Sequence, residues 1–367
     1  MLSFYPGPSQ IYPQVAQYMQ DACTTGILSQ NHRSDKFMVV CAETIACLKQ
    51  KLNIPPNYEV VFTSSATECW EIIAQLFANF EGNSLHVYNG AFGEKWQVQN
   101  NEIYQGMRSS RNAFSLEFFF ETVLDISALI KRKVSKNFNL LCLTPNETSN
   151  GTQLSAKTIE NLRINFPESY LALDVTSAIG GTEQVWENGD FWFGSVQKCL
   201  GIPAGLGILV CSPRACRLAK EQGANNRHYN SLANLLKNIE VYQTPCTPNV
   251  LAIYLLGRVM QGVENISLIA ERLKERHTKL VDFFNQLSLV KLFGNPEVYS
   301  TTVLCLQIEE RYLKKLMQAF ADKGILLGNG YGKWKNNTFR IANFPALSNQ
   351  NFDLLQDTFV EIGVRIA

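Results

Sequence analysis

The feature that most constrains this chain is a recurrence of short apolar runs, at residues 59–63, 85–88, 140–144, 170–173, 191–194 and 207–211, set between longer stretches of helical periodicity. Runs of four or five residues without polar alternation predict strands buried on both faces. Between them Cys69, Ile72, Ile73, Leu76, Phe77 and Phe80 keep three-to-four spacing after Thr67, and Ile159, Leu162 and Phe166 do so after Ser155. Strand alternating with helix predicts a mainly parallel α/β sheet. From about Asn249 the texture changes to long helical patterns, including Ile266, Ile269, Leu273, Leu280, Phe283, Phe284 and Leu287, interrupted near Gly262. Three further strands, at 301–308, 324–327 and 338–342, and a closing helix over 352–362 predict a smaller α+β unit. A hinge near Gly262 joins the two.

Composition narrows the function. A chain of 367 residues, 46% hydrophobic and 18% charged, can bury two cores. Its formal charge of +1 leaves no broad footprint for nucleic acid or anionic lipid, so any anion is recognised locally. The ten cysteines are scattered with no C-x-x-C pair, which suits small buried hydrophobes in a reducing compartment and predicts no metal site. There is no leader pattern at residues 1–10 and no membrane-length apolar run, so a soluble cytoplasmic protein is expected.

Ligands of open α/β sheets collect at the carboxyl ends of the strands. After residue 62 comes Thr63-Ser64-Ser65-Ala66-Thr67-Glu68, whose hydroxyls and free helix N–H groups suit a phosphate, although such residues equally cap a helix. After residue 88, Asn89-Gly90-Ala91-Phe92-Gly93 puts one aromatic on a flexible turn, either to stack on a flat ring or to pack in the core. After residue 143 comes a hydroxyl- and amide-rich turn, Thr144 to Gly151. Asp174 closes the apolar strand 170–173, as a site acid or a turn residue. Lys198 follows the aromatic strand 191–194 and precedes a glycine-rich return, so its amine is expected to point into a site, where desolvation lowers its pKa and makes it nucleophilic.

Each signal alone has a plain structural alternative; their order does not. Phosphate cradle, stacking ring, hydroxyl turn, strand-end acid and lysine are together what pyridoxal phosphate requires. On these residues, with Phe4-Tyr5-Pro6-Gly7-Pro8-Ser9, Asn31-His32-Arg33-Ser34, Asn146-Glu147-Thr148, Gln197-Lys198, Gly205-Leu206 and Thr244-Pro245, the sequence resembles the class V branch of the fold-type I pyridoxal-phosphate enzymes, and within it the phosphoserine aminotransferases.

The resemblance implies a seven-stranded, mainly parallel sheet sandwiched by helices, with an N-terminal arm over 1–15, a large cofactor domain over 16–258 and a small α+β domain over 259–367. It implies that Lys198 bonds the cofactor aldehyde, Asp174 pairs with its ring nitrogen, Thr148 addresses O3′, Phe92 replaces the family's usual tryptophan, and Ala66, Thr67 and Gln197 hold the phosphate. A homodimer with shared sites would bring Gln243 and Thr244 to the partner's cofactor phosphate. His32 and Arg33 would likewise reach the partner's substrate, Arg340 would grip the substrate carboxylate, and Ser9 would lie by the substrate.

The substrates implied are a small amino acid and a 2-oxo acid, first phosphoserine with 2-oxoglutarate. Only lysines stand in Asn329 to Lys335, where the family often has a second His-Arg pair, so serine or alanine with glyoxylate stays open. A cysteine desulfurase fits less well, because Cys305 lies in an expected strand and Phe92 takes the ring position. A dimeric scaffold without turnover is the alternative outside enzymes.

Overall fold

A computed structural model describes residues 1–127, 129–131, 137–223 and 228–366. In chain order its strands are β1 (Leu2–Phe4), β2 (Glu59–Thr63), β3 (Asn83–Tyr88), β4 (Ala113–Glu117), β5 (Phe138–Leu143), β6 (Asn146–Glu147), β7 (Thr152–Gln153), β8 (Tyr170–Asp174), β9 (Phe191–Ser195), β10 (Gly207–Cys211), β11 (Lys291–Leu292), β12 (Val303–Gln307), β13 (Ile325–Asn329) and β14 (Thr338–Ala342). The helices that shape the site are α1 (Val15–Thr25), α2 (Asp35–Lys51), α3 (Ala66–Phe77) and α4 (Ala91–Gly106).

Seven strands form the large sheet in the order β2-β10-β9-β8-β5-β3-β4. Only β10 runs against its neighbours; β9, β8, β5, β3 and β4 pair in parallel. The expected six strands are present, and β4 is the seventh. Its sequence, Ala113-Phe114-Ser115-Leu116-Glu117, is half polar because an edge strand needs only one apolar face. Leu140, Leu141, Leu171, Leu173, Phe191 and Phe193 are fully buried, each side chain gaining about 1.5–3 kcal/mol on leaving water.

A second sheet, β1-β13-β14-β12-β11, takes its first strand from the start of the chain: Leu2, Ser3 and Phe4 pair in parallel with Ile325, Leu326 and Leu327. Two large apolar clusters follow the two sheets. The first holds Val15 through Ile269 and Leu273; the second holds Phe4, Leu280, Phe284 and the apolar residues of β12 to β14 and of the helix Asn349–Ile366. The helix Ile266–Asn285 therefore contributes its first half to one cluster and its second half to the other. Residue 258 falls inside the helix Val250–Gly262, whose Val259 and Met260 still pack in the first cluster. Among the described residues no helix is long and apolar enough to cross a membrane.

Candidate active site

The parallel strands end at one edge of the large sheet, and a cavity of about 680 Å³ opens there. Ala66, Thr67, Phe92, Thr148, Asp174, Gln197, Lys198 and Arg340 all line it.

Lys198 sits in the tight turn after β9, with its Nζ donating to Thr148 Oγ1 and to Ser177 Oγ, both at 2.8 Å. The two hydroxyls also bond each other. Burial pushes the amine down to about 8; Asp174 opposes this, and the Arg340 charge adds to it. Its Nζ lies 5.3 Å from the Phe92 ring centroid. Gly7 makes the approach possible, since a Cβ there would stand 2.8 Å from Lys198 Cε. Ser9 does not line the cavity; its hydroxyl donates to the Gln197 carbonyl at 2.9 Å and so holds the lysine turn from behind.

Asp174 closes a local turn and also lines the cavity. Its Oδ1 accepts from the Thr176 backbone N–H at 3.0 Å and hydroxyl at 2.6 Å, a local turn, while Oδ2 accepts from the Trp70 indole at 3.1 Å. Burial raises its carboxyl above the ordinary range despite these donors and the Lys198 charge. Oδ2 retains capacity for one more donor, which suits a protonated ring nitrogen.

The loop after β2 caps a helix and also borders the cavity. Ser65 caps α3 by accepting from Glu68 N, and Glu68 returns a bond to Ser64 N. The N–H of Ala66 instead donates to Ser195 Oγ at 2.7 Å, and both residues line the cavity. A helix N-terminus with Thr67, Ser195 and Gln197 around it offers the donors that an anion needs.

Phe92 corrects the sequence expectation: it lies not on a flexible turn but in the first turn of α4. The reason is Glu147, fully buried in the hairpin β6–β7. Its Oε2 accepts from the N–H groups of Phe92 and Gly93 at 3.2 Å, and its Oε1 accepts from Ser149 N at 2.9 Å and Ser149 Oγ at 2.6 Å. Ser149 Oγ takes the N–H of Ala91 at 3.0 Å. The first three N–H groups of α4 are thus satisfied by a segment on either side of Thr148.

Arg340 on β14 is buried, with Nε on the Asn329 carbonyl at 2.8 Å and Nη1 on the Thr148 carbonyl at 2.9 Å. Two backbone carbonyls fix the guanidinium without neutralising it, so it faces the cavity as a charge.

Besides Ser9, four expected residues lie outside the cavity. His32 is buried beside Thr247, its Nδ1 3.3 Å from Thr247 Oγ1 and its Nε2 without a partner; burial, with the Arg33 charge, lowers its pKa. Arg33 is exposed. Thr244 bonds the Cys246 carbonyl at 2.7 Å, and Gln243 approaches Met38. Thr244 and Thr247 line a separate hollow of about 250 Å³ beyond the first turn of α3.

Sequence reading missed Trp70, Thr176, Ser177, Ser195 and Tyr331, all of which line the cavity, and Glu147 behind it. Thr176 and Ser177 stood beside Asp174 and Glu147 beside Thr148; proximity to a strand end was the signal.

Fold and site together define a fold-type I aminotransferase, and the match of residues 2–332 to the family described as Aminotransferase class-V makes the chain a member of that family. It is a transaminase. Among curated relatives, the phosphoserine aminotransferase of Rhodococcus opacus is 23% identical over 362 residues, covering 95% of this chain and 91% of the relative. A solved phosphoserine aminotransferase from Cytophaga hutchinsonii superposes with a TM-score of 0.89 at 30% identity, covering 98% of both chains. An alanine–glyoxylate aminotransferase from Nostoc sp. shares the fold, with a TM-score of 0.79 at 18% identity over 98% of this chain and 94% of the other.

Proposed function

We propose that this chain is a pyridoxal-phosphate-dependent transaminase that moves the amino group of phosphoserine to 2-oxoglutarate, as a cytoplasmic homodimer with shared sites. The observation that carries the cofactor reading is the Lys198 amine, buried between Thr148 and Ser177 under the Phe92 ring. The remaining residues fit the same group. The α3 N-terminus, Thr67, Ser195 and Gln197 would hold its phosphate, Thr148 its phenolic oxygen and Asp174 its ring nitrogen. When bound, pyridoxal phosphate supplies the electron sink that lets a Cα–H bond break.

The protein's own part is positional and acid–base. Arg340 takes the substrate carboxylate and aims Cα at Lys198. Its pKa of about 8 leaves the Lys198 amine roughly a tenth neutral at pH 7, enough to attack a carbonyl carbon and then to carry the Cα proton. Asp174, ionised once it faces a cation, keeps that cation protonated. Asp174→Ala is therefore expected to slow turnover by 100-fold or more with little change in substrate KM; unchanged kcat would refute the assignment.

Phosphoserine is supported by the full-length likeness to the Cytophaga hutchinsonii enzyme. A smaller donor, serine or alanine with glyoxylate, is favoured by one feature: Glu94 and Glu102 share the cavity wall, where Lys95 and Arg340 are the cations besides Lys198. Single half-reactions of the cofactor-loaded protein with phosphoserine, serine, alanine, glutamate and aspartate decide between them through loss of the visible absorbance. Failure with phosphoserine alone removes the first choice, and protein that stays colourless with the cofactor removes the enzyme. The dimer is supported by the placement of Arg33 and Thr244 outside their own chain's cavity, and by exposed Tyr229, which shares the second hollow with Thr244. The cytoplasmic reading rests on ten free cysteines.

A further inference from the structure

The cavity holds a cationic group that the steps above do not use. Lys95, on the outward face of α4, donates from Nζ to the Tyr331 phenol oxygen, and its ammonium lies 5.0 Å from the Tyr331 ring centroid and 5.8 Å from that of Phe92. Tyr331, between β13 and β14, stacks on Phe92 with centroids 5.0 Å apart and planes 23° apart. The guanidinium carbon of Arg340 is 5.4 Å from the same Tyr331 ring. Lys95, Tyr331 and Arg340 all line the one cavity, so two cations flank a single aromatic ring.

A phenol oxygen that accepts from an ammonium keeps its own proton to donate, and the neighbouring charge polarises it. The ammonium keeps two further N–H groups. Together they present one positive charge and three donors at a corner of the cavity that the α-carboxylate grip of Arg340 leaves free. Glu94 and Glu102 line the same wall, so selection here cannot rest on a broad cationic field and has to come from direct hydrogen bonds.

We propose that Lys95 and Tyr331 form a subsite for the anionic distal group of the donor, so that this chain selects amino acids with an acidic side chain. The assignment rests on the transaminase reading. Phosphate and carboxylate share the required chemistry, and the substrates chosen for the test separate them.

The test uses cofactor-loaded wild-type, Lys95→Met and Tyr331→Phe proteins and measures half-reaction rate constants at low substrate for phosphoserine, glutamate and alanine. The ratio of the acidic donor to alanine is expected to fall about 10- to 100-fold in Lys95→Met and several-fold in Tyr331→Phe. The acidic donor whose ratio falls further identifies the distal group. A ratio that stays constant, whether because all donors slow equally or because none does, overturns the proposal. Should wild type convert no donor, the transaminase reading is what fails, and calorimetric binding of phosphoserine then decides the subsite: weaker binding by Lys95→Met upholds it, and equal binding overturns it.

Discussion

Burial holds the Lys198 amine at about 8 although two carboxylates pull it upward. Between that value and the ordinary 10.5 the unfolded chain binds a proton that the folded chain has released, so this group's contribution to stability rises with pH across the window and is least favourable below pH 8. Thr148 and Ser177 already bond each other, so a methionine in place of the lysine would leave neither orphaned. In cofactor-free protein, Lys198→Met is expected to raise stability at pH 7 by about 1–3 kcal/mol, with the gain gone near pH 10.5. Denaturant unfolding at the two pH values checks this, and a less stable methionine variant at pH 7 would show that burial does not dominate. Glu147 acts one residue further out, through the N–H groups of Phe92 and Gly93. Glu147→Gln is expected to weaken cofactor binding about 10-fold, and to add little in a Phe92→Ala background if its effect runs through that ring. Cofactor titration of the four proteins gives the answer, additivity being the unfavourable outcome.

At the scale of elements, the site is a set of strand ends joined by helix starts. The apolar runs made β2, β3, β5, β8, β9 and β10 legible because strands buried on both faces leave a signal of composition alone. The edge strand β4 and the two-residue strands β6 and β7 left none. The start of α4 was hidden for a different reason. Gly90-Ala91-Phe92-Gly93 has poor helix propensity, and what makes it helical is a buried carboxylate some 55 residues later in the chain. Gly90 is bound into the same contact, since a Cβ there would meet Glu147 Cγ at 2.4 Å and Ser149 Oγ at 2.6 Å. Gly90→Ala is thus expected to lower Tm and weaken cofactor binding together, with Gly106→Ala, where a Cβ meets nothing within 4 Å, as the neutral comparison. Thermal melts with and without cofactor check both.

Over the whole molecule, β1 ties the start of the chain into the small sheet, and Ser9 then reaches the lysine turn, so the first residues link the second core to the candidate site. The proposed homodimer can be tested at this scale. If Arg33 serves the partner's cavity, mixing Lys198→Ala with Arg33→Ala chains makes hybrid dimers in which one site carries both defects and the other neither. Activity is then expected to recover to about a quarter of wild type at equal mixing, the share left when half the dimers are hybrids with one intact site. No recovery, with hybrid formation confirmed by mass, would place Arg33 in its own chain's site.

Sequence by itself determined the layered α/β sheet and the line of residues along its carboxyl edge, from Ala66 through Lys198, because strand burial and strand-end chemistry are properties of neighbours in the chain. Only tertiary structure decided how those residues act. Trp70 meets Asp174 across 104 residues, Arg340 meets the Thr148 carbonyl across 192, and Tyr331 meets Lys95 across 236. Contacts of that kind depend on how two sheets and their helices pack, and no local spacing records them.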